Sequence, residues 1–457
     1  MSTGRSIRKI LFIAYYFPPL GMGGTQRLAK WCKYLRRDGV QPKVVTVKPI
    51  AYYAYDESLL DDVANVEIIR TESLDPARLL FRLGRSLRAG AASYAAKRSW
   101  MSWFFVPDSR ILWIPFALWQ AMRLARREPL DAVVTSGPPH SSHFIGWFLK
   151  KAFGGKRSRK LIWLADFRDS WAGGEVQPEP TPLHRWLNRA MQKFILRRAD
   201  VVTTISLPLI DELRAYANSS EVTPHLLSNG YDPEDFSLSP PMIRLRPASL
   251  SAIGNGARHA HQLSEMFNVV FCGSATAIAN PQTLLEGFRV FIDIAQLMPG
   301  MARLRFVGND LLGTLIKQVE ENRLEPFVEI TGYVRHAEAV AAMQQASLLV
   351  YIAAPGTSAV TVGGKTYEYL ASRRPVLCVG EPVAGLQLLR KHLPSRYCGY
   401  YEIDGIARAL LAFFREFSAG ELRPAQAIPE EFSRQYQASQ LLALLEKAVN
   451  ETLTDRK

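Results

Sequence analysis

Lys365 and Glu368 stand three residues apart behind a glycine pair, in the run Gly363-Gly364-Lys365-Thr366-Tyr367-Glu368-Tyr369-Leu370-Ala371. Read as a helix opening at the glycines, the run places Tyr367, Leu370 and Ala371 on one stripe and Lys365, Glu368 and Ser372 on another. A helix N-terminus offers unpaired N–H groups and the positive end of its dipole, and Lys365 adds a full charge there. That combination suits a phosphate. Glu368 would repel a phosphate, but its carboxylate can accept two hydrogen bonds from vicinal hydroxyls such as those of a ribose. Phosphate plus ribose means a nucleotide. These nine residues also fit a helix whose Lys and Glu are merely solvated.

Four other groups fall at strand ends, where α/β domains keep their ligand-binding residues. The apolar run Ile7–Phe17 leads into a loop holding Gly21, Gly23 and Gly24, and then a helical pattern with Leu28, Trp31, Cys32 and Leu35 on one face. Strand, glycine loop and helix make a phosphate-binding arrangement, although a plain tight turn explains the glycines too. His140 and His143 follow the strand Asp131–Thr135; such a pair is usually structural, and no further metal ligands accompany it. Asp166, Arg168 and Asp169 follow the strand Leu161–Ala165, and two acids around an arginine can form an internal ion-pair lock. Gly332, Tyr333 and Val334 follow the strand Phe327–Thr331.

The segment GGKTYEYLASRRPVL resembles the donor-nucleotide region of GT-B glycosyltransferases, in particular the family-4-like group that builds bacterial surface polysaccharides. The resemblance extends over nearly the whole chain and is strongest at 7–35 and 327–381. It implies two Rossmann-like domains facing each other across a cleft, with a C-terminal helix crossing back to the N-domain. It implies donor binding by Gly23, Gly24, Tyr333, Val334, Gly363, Gly364, Lys365 and Glu368, with His140 and Gly24 as catalytic candidates. Asp166, Arg168 and Asp169 resemble a DFRDxW signature and, with His143, are candidates for the acceptor side. Transfer of a hexosyl or N-acetylhexosaminyl group from a nucleotide-sugar, with retention and without a metal or cofactor, is the implied activity. Two departures stand out. Val360 occupies the position of a glutamate that many relatives carry, and Gly273–Asn280 lacks the Arg and Lys that clamp the donor diphosphate in the family.

The chain reads as α/β, with strand and helix patterns alternating twice. A length of 457 residues suggests two domains. We expect an N-terminal domain over 1–235, a linker over 236–265, a nucleotide-sugar domain over 266–425 and the crossover helix within 426–457. Four scattered cysteines suggest neither a disulfide framework nor a zinc site. The formal net charge of +14 anticipates an anionic partner. Between Arg78 and Arg127, ten Lys or Arg face a single acid, Asp108, and four of the nine tryptophans share the stretch. This suggests a surface on anionic headgroups. A buried amphipathic helix with a solvated face fits as well, and nucleic acid ranks below both because no nucleic-acid motif accompanies the charge. No stretch reaches the ~18 apolar residues of a spanning helix. The expected location is therefore cytoplasmic, peripheral on the inner face of the cell membrane, with a glycan or polyprenyl-diphosphate-linked acceptor. An epimerase on the same fold and a non-catalytic sugar-nucleotide or glycan-binding protein are the rival readings.

Overall fold

The computed structural model describes residues 6–21, 23–52, 54–84, 101–154, 161–172, 179–217, 222–237, 266–357, 359 and 362–454. Val360 and most of the expected linker 236–265 lie outside them. Two all-parallel sheets dominate. The first contains β1 (Lys9–Ile13), β2 (Gln41–Val47), β3 (Glu67–Thr71), β4 (Ala132–Gly137), β5 (Ile162–Phe167), β6 (Val201–Thr204) and β7 (His225–Leu226), in the order β3-β2-β1-β4-β5-β6-β7. The second contains β8 (Phe267–Cys272), β9 (Ala302–Val307), β10 (Val328–Ile330), β11 (Leu348–Ala353), β12 (Val376–Gly380) and β13 (Ser395–Cys398), in the order β10-β9-β8-β11-β12-β13.

Both sheets reverse strand order next to their first strand, so each opens a crevice at the carboxyl ends of its central strands. Strands β1, β4, β5, β11 and β12 are buried along nearly their whole length, as expected when helices cover both faces. Every strand expected from the sequence is present, with ends shifted by a few residues. Strand β12 is an addition, and so are the short edge strands β7 and β13, because two residues, or Ser-Arg-Tyr-Cys, carry no apolar run to mark them.

The last helix, Arg434–Thr454, returns to the N-domain. Its Ala438, Leu441 and Leu445 are fully buried in one cluster with Ile10, Phe12, Leu28, Trp31 and Leu35. Large apolar side chains from the chain's end and its beginning leave water together here, and burial of this kind is worth roughly 1.5–3 kcal/mol per large aliphatic group. The crossing therefore couples the two ends of the molecule.

The basic segment is not all outward-facing, contrary to a uniform surface reading. Trp113 is fully buried and donates to Thr71 Oγ1 at 2.7 Å. Arg78 is bound to Glu72 and to the Pro49 carbonyl, and Arg110 to Asp75. These are fold contacts. Arg85, Arg88, Lys97, Arg98 and Trp100 lie outside the described residues. No helix among the described residues is long and apolar enough to cross a membrane.

Candidate functional site

Two helix N-termini meet between the domains. The helix Gly23–Arg37 follows β1, and the helix Gly364–Ser372 precedes β12. A methyl group built on Gly364 would lie 4.0 Å from Gly23 Cα, so the two helix starts face each other with room for no more than a small side chain between them. Gly363 caps the second helix in extended conformation with no side-chain cap bond, which leaves first-turn N–H groups for a ligand. A Cβ on Gly24 would fall inside the Arg168 guanidinium, so this glycine lets the cation approach the backbone. The positive ends of two helix dipoles and one guanidinium thus converge.

Lys365 adds to the same region from the C-domain side. Its ammonium lies over the rings of Phe271 and Tyr351 at 4.7 and 5.2 Å, and 3.4 Å from where a Cβ on Gly273 would stand. It therefore reaches the end of β8, beside the loop that lacks Arg and Lys. Burial pulls its pKa down to about 8, against the opposing pull of Cys272 and Glu368. Tyr369, on the helix's inner side, anchors it by accepting from Cys272 N at 2.9 Å and donating to Val350 O at 3.0 Å. The sequence stripe assigned packing to Tyr367 and Leu370, and Tyr369 joins them.

Glu368 faces a seam rather than an open pocket. His336 Nδ1 stands 3.8 Å from its carboxylate, while His336 Nε2 lies 3.1 Å from Asp235 and Nδ1 3.1 Å from Gln26. The His336 backbone also donates to Asp56 at 3.2 Å. Burial would lower the His336 pKa, but the Asp235 bond and the charges of Glu368 and Asp235 raise it on balance. Arg434, at the start of the crossing helix, enters the same seam, where burial lowers its pKa to about 9. The cavity between Glu368, His336, Lys30 and Arg434 is about 10 Å³, no more than one water's worth. A larger cavity of about 290 Å³ lies elsewhere, along Lys33, Arg36, Asp61 and Asp62, and touches none of these groups. The chain is closed at Glu368.

Tyr333 and Val334 sit on the same closing loop. The Tyr333 hydroxyl would lie 2.6 Å from a Cβ on Gly21, so this C-domain side chain touches the N-domain loop, and Val334 is partly buried against the C-domain core. His336 is the residue the sequence reading missed. Its position, two residues after Val334 at a helix start, was the available signal.

Asp166 is not a cleft-facing acid. It is fully buried and holds Arg27, also fully buried, through two bonds of 3.2 and 2.9 Å. It also accepts from Ser136 Oγ and Thr203 Oγ1. Arg27 continues to the carbonyls of Leu227 and Ser228, and so ties the first helix to the end of the N-domain. The arginine that Asp166 pairs with is therefore Arg27 of the first helix, not the Arg168 of its own run. Arg168 turns the other way, toward Gly24 and the Pro138 carbonyl, with a buried Nε that makes no hydrogen bond. Asp169 is partly exposed beside it.

His140 and His143 are both buried. His140 stacks on Trp171 at 4.9 Å with an interplanar angle of 4°, and its ring nitrogens form no well-aligned hydrogen bond. His143 shares a 2.9 Å bond with Thr135 Oγ1 and keeps Nε2 unpartnered. Burial first lowers both pKa values; the neighbouring His143 and then the Arg168 charge lower that of His140 further, and Arg168 helps to bring that of His143 to about 3. Both rings are neutral at pH 7. No cluster of metal-ligating side chains occurs among the described residues.

Residues 22–230 match the glycosyl transferase 4-like domain. The chain as a whole has the GT-B fold. Among solved structures, this GT-B chain is similar to sucrose-phosphate synthase of Thermosynechococcus elongatus, with 14% identity, 98% of each chain covered and a TM-score of 0.58. It is similar to an E. coli structure described as trehalose-6-phosphate bound with UDP-2-fluoro glucose, at 9% identity, 96% of this chain and 99% of that one, TM-score 0.60. A putative UDP-N-acetylglucosamine 2-epimerase of Listeria monocytogenes also aligns, at 12% identity over 97% and 96% of the two chains, TM-score 0.57. At these identities the likeness concerns the fold alone. No curated protein sequence matches the chain.

Proposed function

We propose that this protein transfers a hexosyl or N-acetylhexosaminyl group from a nucleotide-sugar to a glycan acceptor carried on a lipid diphosphate, with retention and without a metal or cofactor. The observation that carries the proposal is the meeting of the Gly23 and Gly364 helix N-termini, with Arg168 against Gly24 on one side and Lys365 in the first turn of the second helix on the other. Such a constellation stabilises the negative charge that builds on a departing nucleoside diphosphate, and it costs no reorganisation because backbone dipoles and cations are already in place.

In this reading Glu368 accepts the ribose hydroxyls once His336 withdraws, and Tyr333 and Val334 border the base. Arg168 and Lys365 bring charge from either side, which offsets the cations missing from Gly273–Asn280. His140, neutral and held flat on Trp171, orients the sugar rather than exchanging a proton. The epimerase rival rests on the shared fold and requires no acceptor.

The test is transfer of label from radiolabelled UDP-, GDP- and TDP-sugars to bacterial lipid extract. The proposal expects a lipid-soluble product that disappears with Glu368→Ala. Isomerised donor formed without acceptor would replace it with the epimerase reading.

A further inference from the structure

Four large apolar side chains crowd one edge of the N-domain and face solvent: Trp103 (55% exposed), Phe104 (74%), Leu183 (61%) and Trp186 (63%). Trp103 and Phe104 belong to the short turn before the segment 105–113, and Leu183 and Trp186 to the first turns of the helix Pro182–Leu196. His184 joins the two pieces. Its ring meets Trp103 edge-on at 6.2 Å, and its Nε2 lies 3.3 Å from the Trp103 carbonyl. Scattered surface apolar residues are ordinary, but a joined cluster of exposed tryptophans marks an interaction surface.

The charge around the cluster names the partner's chemistry. From Pro180 to Ala199 the chain has Arg185, Arg189, Lys193, Arg197 and Arg198 and no acid. The neighbouring helices Ile114–Arg127 and Ser142–Phe153 also lack Asp and Glu, while carrying Arg123, Arg126, Arg127, Lys150 and Lys151. Glu179, which meets Arg185 at 3.6 Å, is itself only 4% exposed and held by Asn188. The acids of the adjoining helix Leu207–Ala217 are taken up elsewhere, Asp211 by Arg214 and Glu212 by Ser170. An apolar tip with tryptophans, on a helix whose own charges are all cations, matches the interfacial layer of an anionic bilayer: rings settle at headgroup depth and cations pair with lipid phosphates.

The tip is wired to the candidate site. The same helix that carries Trp186 accepts Trp171 Nε1 on Asn188 Oδ1 at 3.3 Å and Ala172 N on Gln192 Oε1 at 3.2 Å. Trp171 is the ring on which His140 stacks. Because this helix begins at the carboxyl edge of the first sheet, its N-terminal tip lies on the cleft side of the domain.

We propose that Trp103, Phe104, Leu183 and Trp186 insert into the headgroup layer of an anionic membrane and hold the cleft over it. This rests on the reading of a lipid-carried acceptor and deepens it. It also moves the docking surface away from the basic stretch 78–127 alone, to a composite of its turn at Trp103 with a helix some eighty residues later.

Flotation with vesicles of phosphatidylglycerol and phosphatidylethanolamine, compared with pure phosphatidylcholine, tests the proposal. Wild type should bind the anionic vesicles at least tenfold more tightly, and 0.5 M NaCl should weaken that binding. The double variant Leu183→Glu/Trp186→Glu should lose at least tenfold, whereas Tyr401→Ser, more exposed still but on the C-domain, should lose nothing. Equal flotation of wild type and the double variant overturns the proposal. So does wild type that ignores anionic vesicles, or a double variant whose change is a dimer falling to monomer, which would make the surface a seat for a second copy. Sugar-nucleotide binding measured in solution separates the two readings: vesicle binding without any donor binding sinks the transferase and leaves the membrane surface standing. Donor binding unaltered in a variant that no longer floats supports both.

Discussion

Replacing Asp166 by Asn should unfold the N-domain far more readily while leaving the donor site of the folded molecules unchanged. The substitution keeps the side chain's volume and removes its charge, so packing is not the variable. Asp166 and Arg27 are both fully buried, and their paired bonds of 3.2 and 2.9 Å balance a guanidinium that no solvent reaches. In the variant Arg27 keeps the carbonyls of Leu227 and Ser228 but has no counter-charge, and Ser136 and Thr203 compete for a single amide oxygen. Breaking a buried pair from one side costs roughly 3–5 kcal/mol. The remaining carbonyls place this case at the lower end, about 3 kcal/mol, which for a domain of this size is a fall of roughly 6–12 °C in Tm. All nine tryptophans lie between residues 31 and 186, so intrinsic fluorescence follows the N-domain alone. Urea and thermal unfolding read by that signal make the assay. A change below about 1 kcal/mol would refute the argument that this pair is an uncompensated charge when broken. Donor affinity lost in variant that remains folded would show instead that Asp166 touches substrate.

Three further outcomes follow from the site. Because burial holds Lys365 near pKa 8, a bound diphosphate should draw a proton onto it; calorimetry at pH 8 in buffers of differing ionisation heat should find uptake of about half a proton, absent in Lys365→Met. Gly24→Ala should drive the Arg168 guanidinium off its place and lower kcat by about 100-fold, the scale of a 1 Å misplacement, with unfolding little changed. His336 has a raised pKa in the closed seam, so protonation favours closure: the stabilisation is full below about 6.5 and fades as pH rises through the raised value. Small-angle scattering should therefore show a more open wild type at pH 8.5 than at pH 6, and a His336→Gln protein whose dimensions do not change with pH.

Local patterns disclosed most of the architecture. Apolar runs such as those within Ile7–Phe17 and Leu161–Ala165 announce buried parallel strands, and the helix over Gly364–Ser372 followed from the glycine pair and its stripe. Partnerships across long sequence separations were not legible. Nothing local tells Arg27 that its carboxylate is Asp166, 139 residues on, rather than a nearer acid. Arg168 was readable as a charge at a strand end, but its approach to Gly24 depends on how two loops of one sheet fold over each other. The seam was hidden for the same reason, since His336, Asp235, Gln26 and Glu368 come from four separate elements and meet only when the domains close. The exposed tip was half visible: the tryptophans of the basic stretch drew attention, while Trp113 turned inward and Trp186 completed the surface from outside that stretch.

The most direct test of the account is calorimetric binding of UDP-, GDP- and TDP-sugars to wild type and to Glu368→Ala. The account predicts that one donor class binds wild type and that the carboxylate's removal weakens it at least tenfold. Equal binding in the two proteins would contradict the assignment of Glu368 to the ribose, and no binding by any donor would contradict the transferase itself.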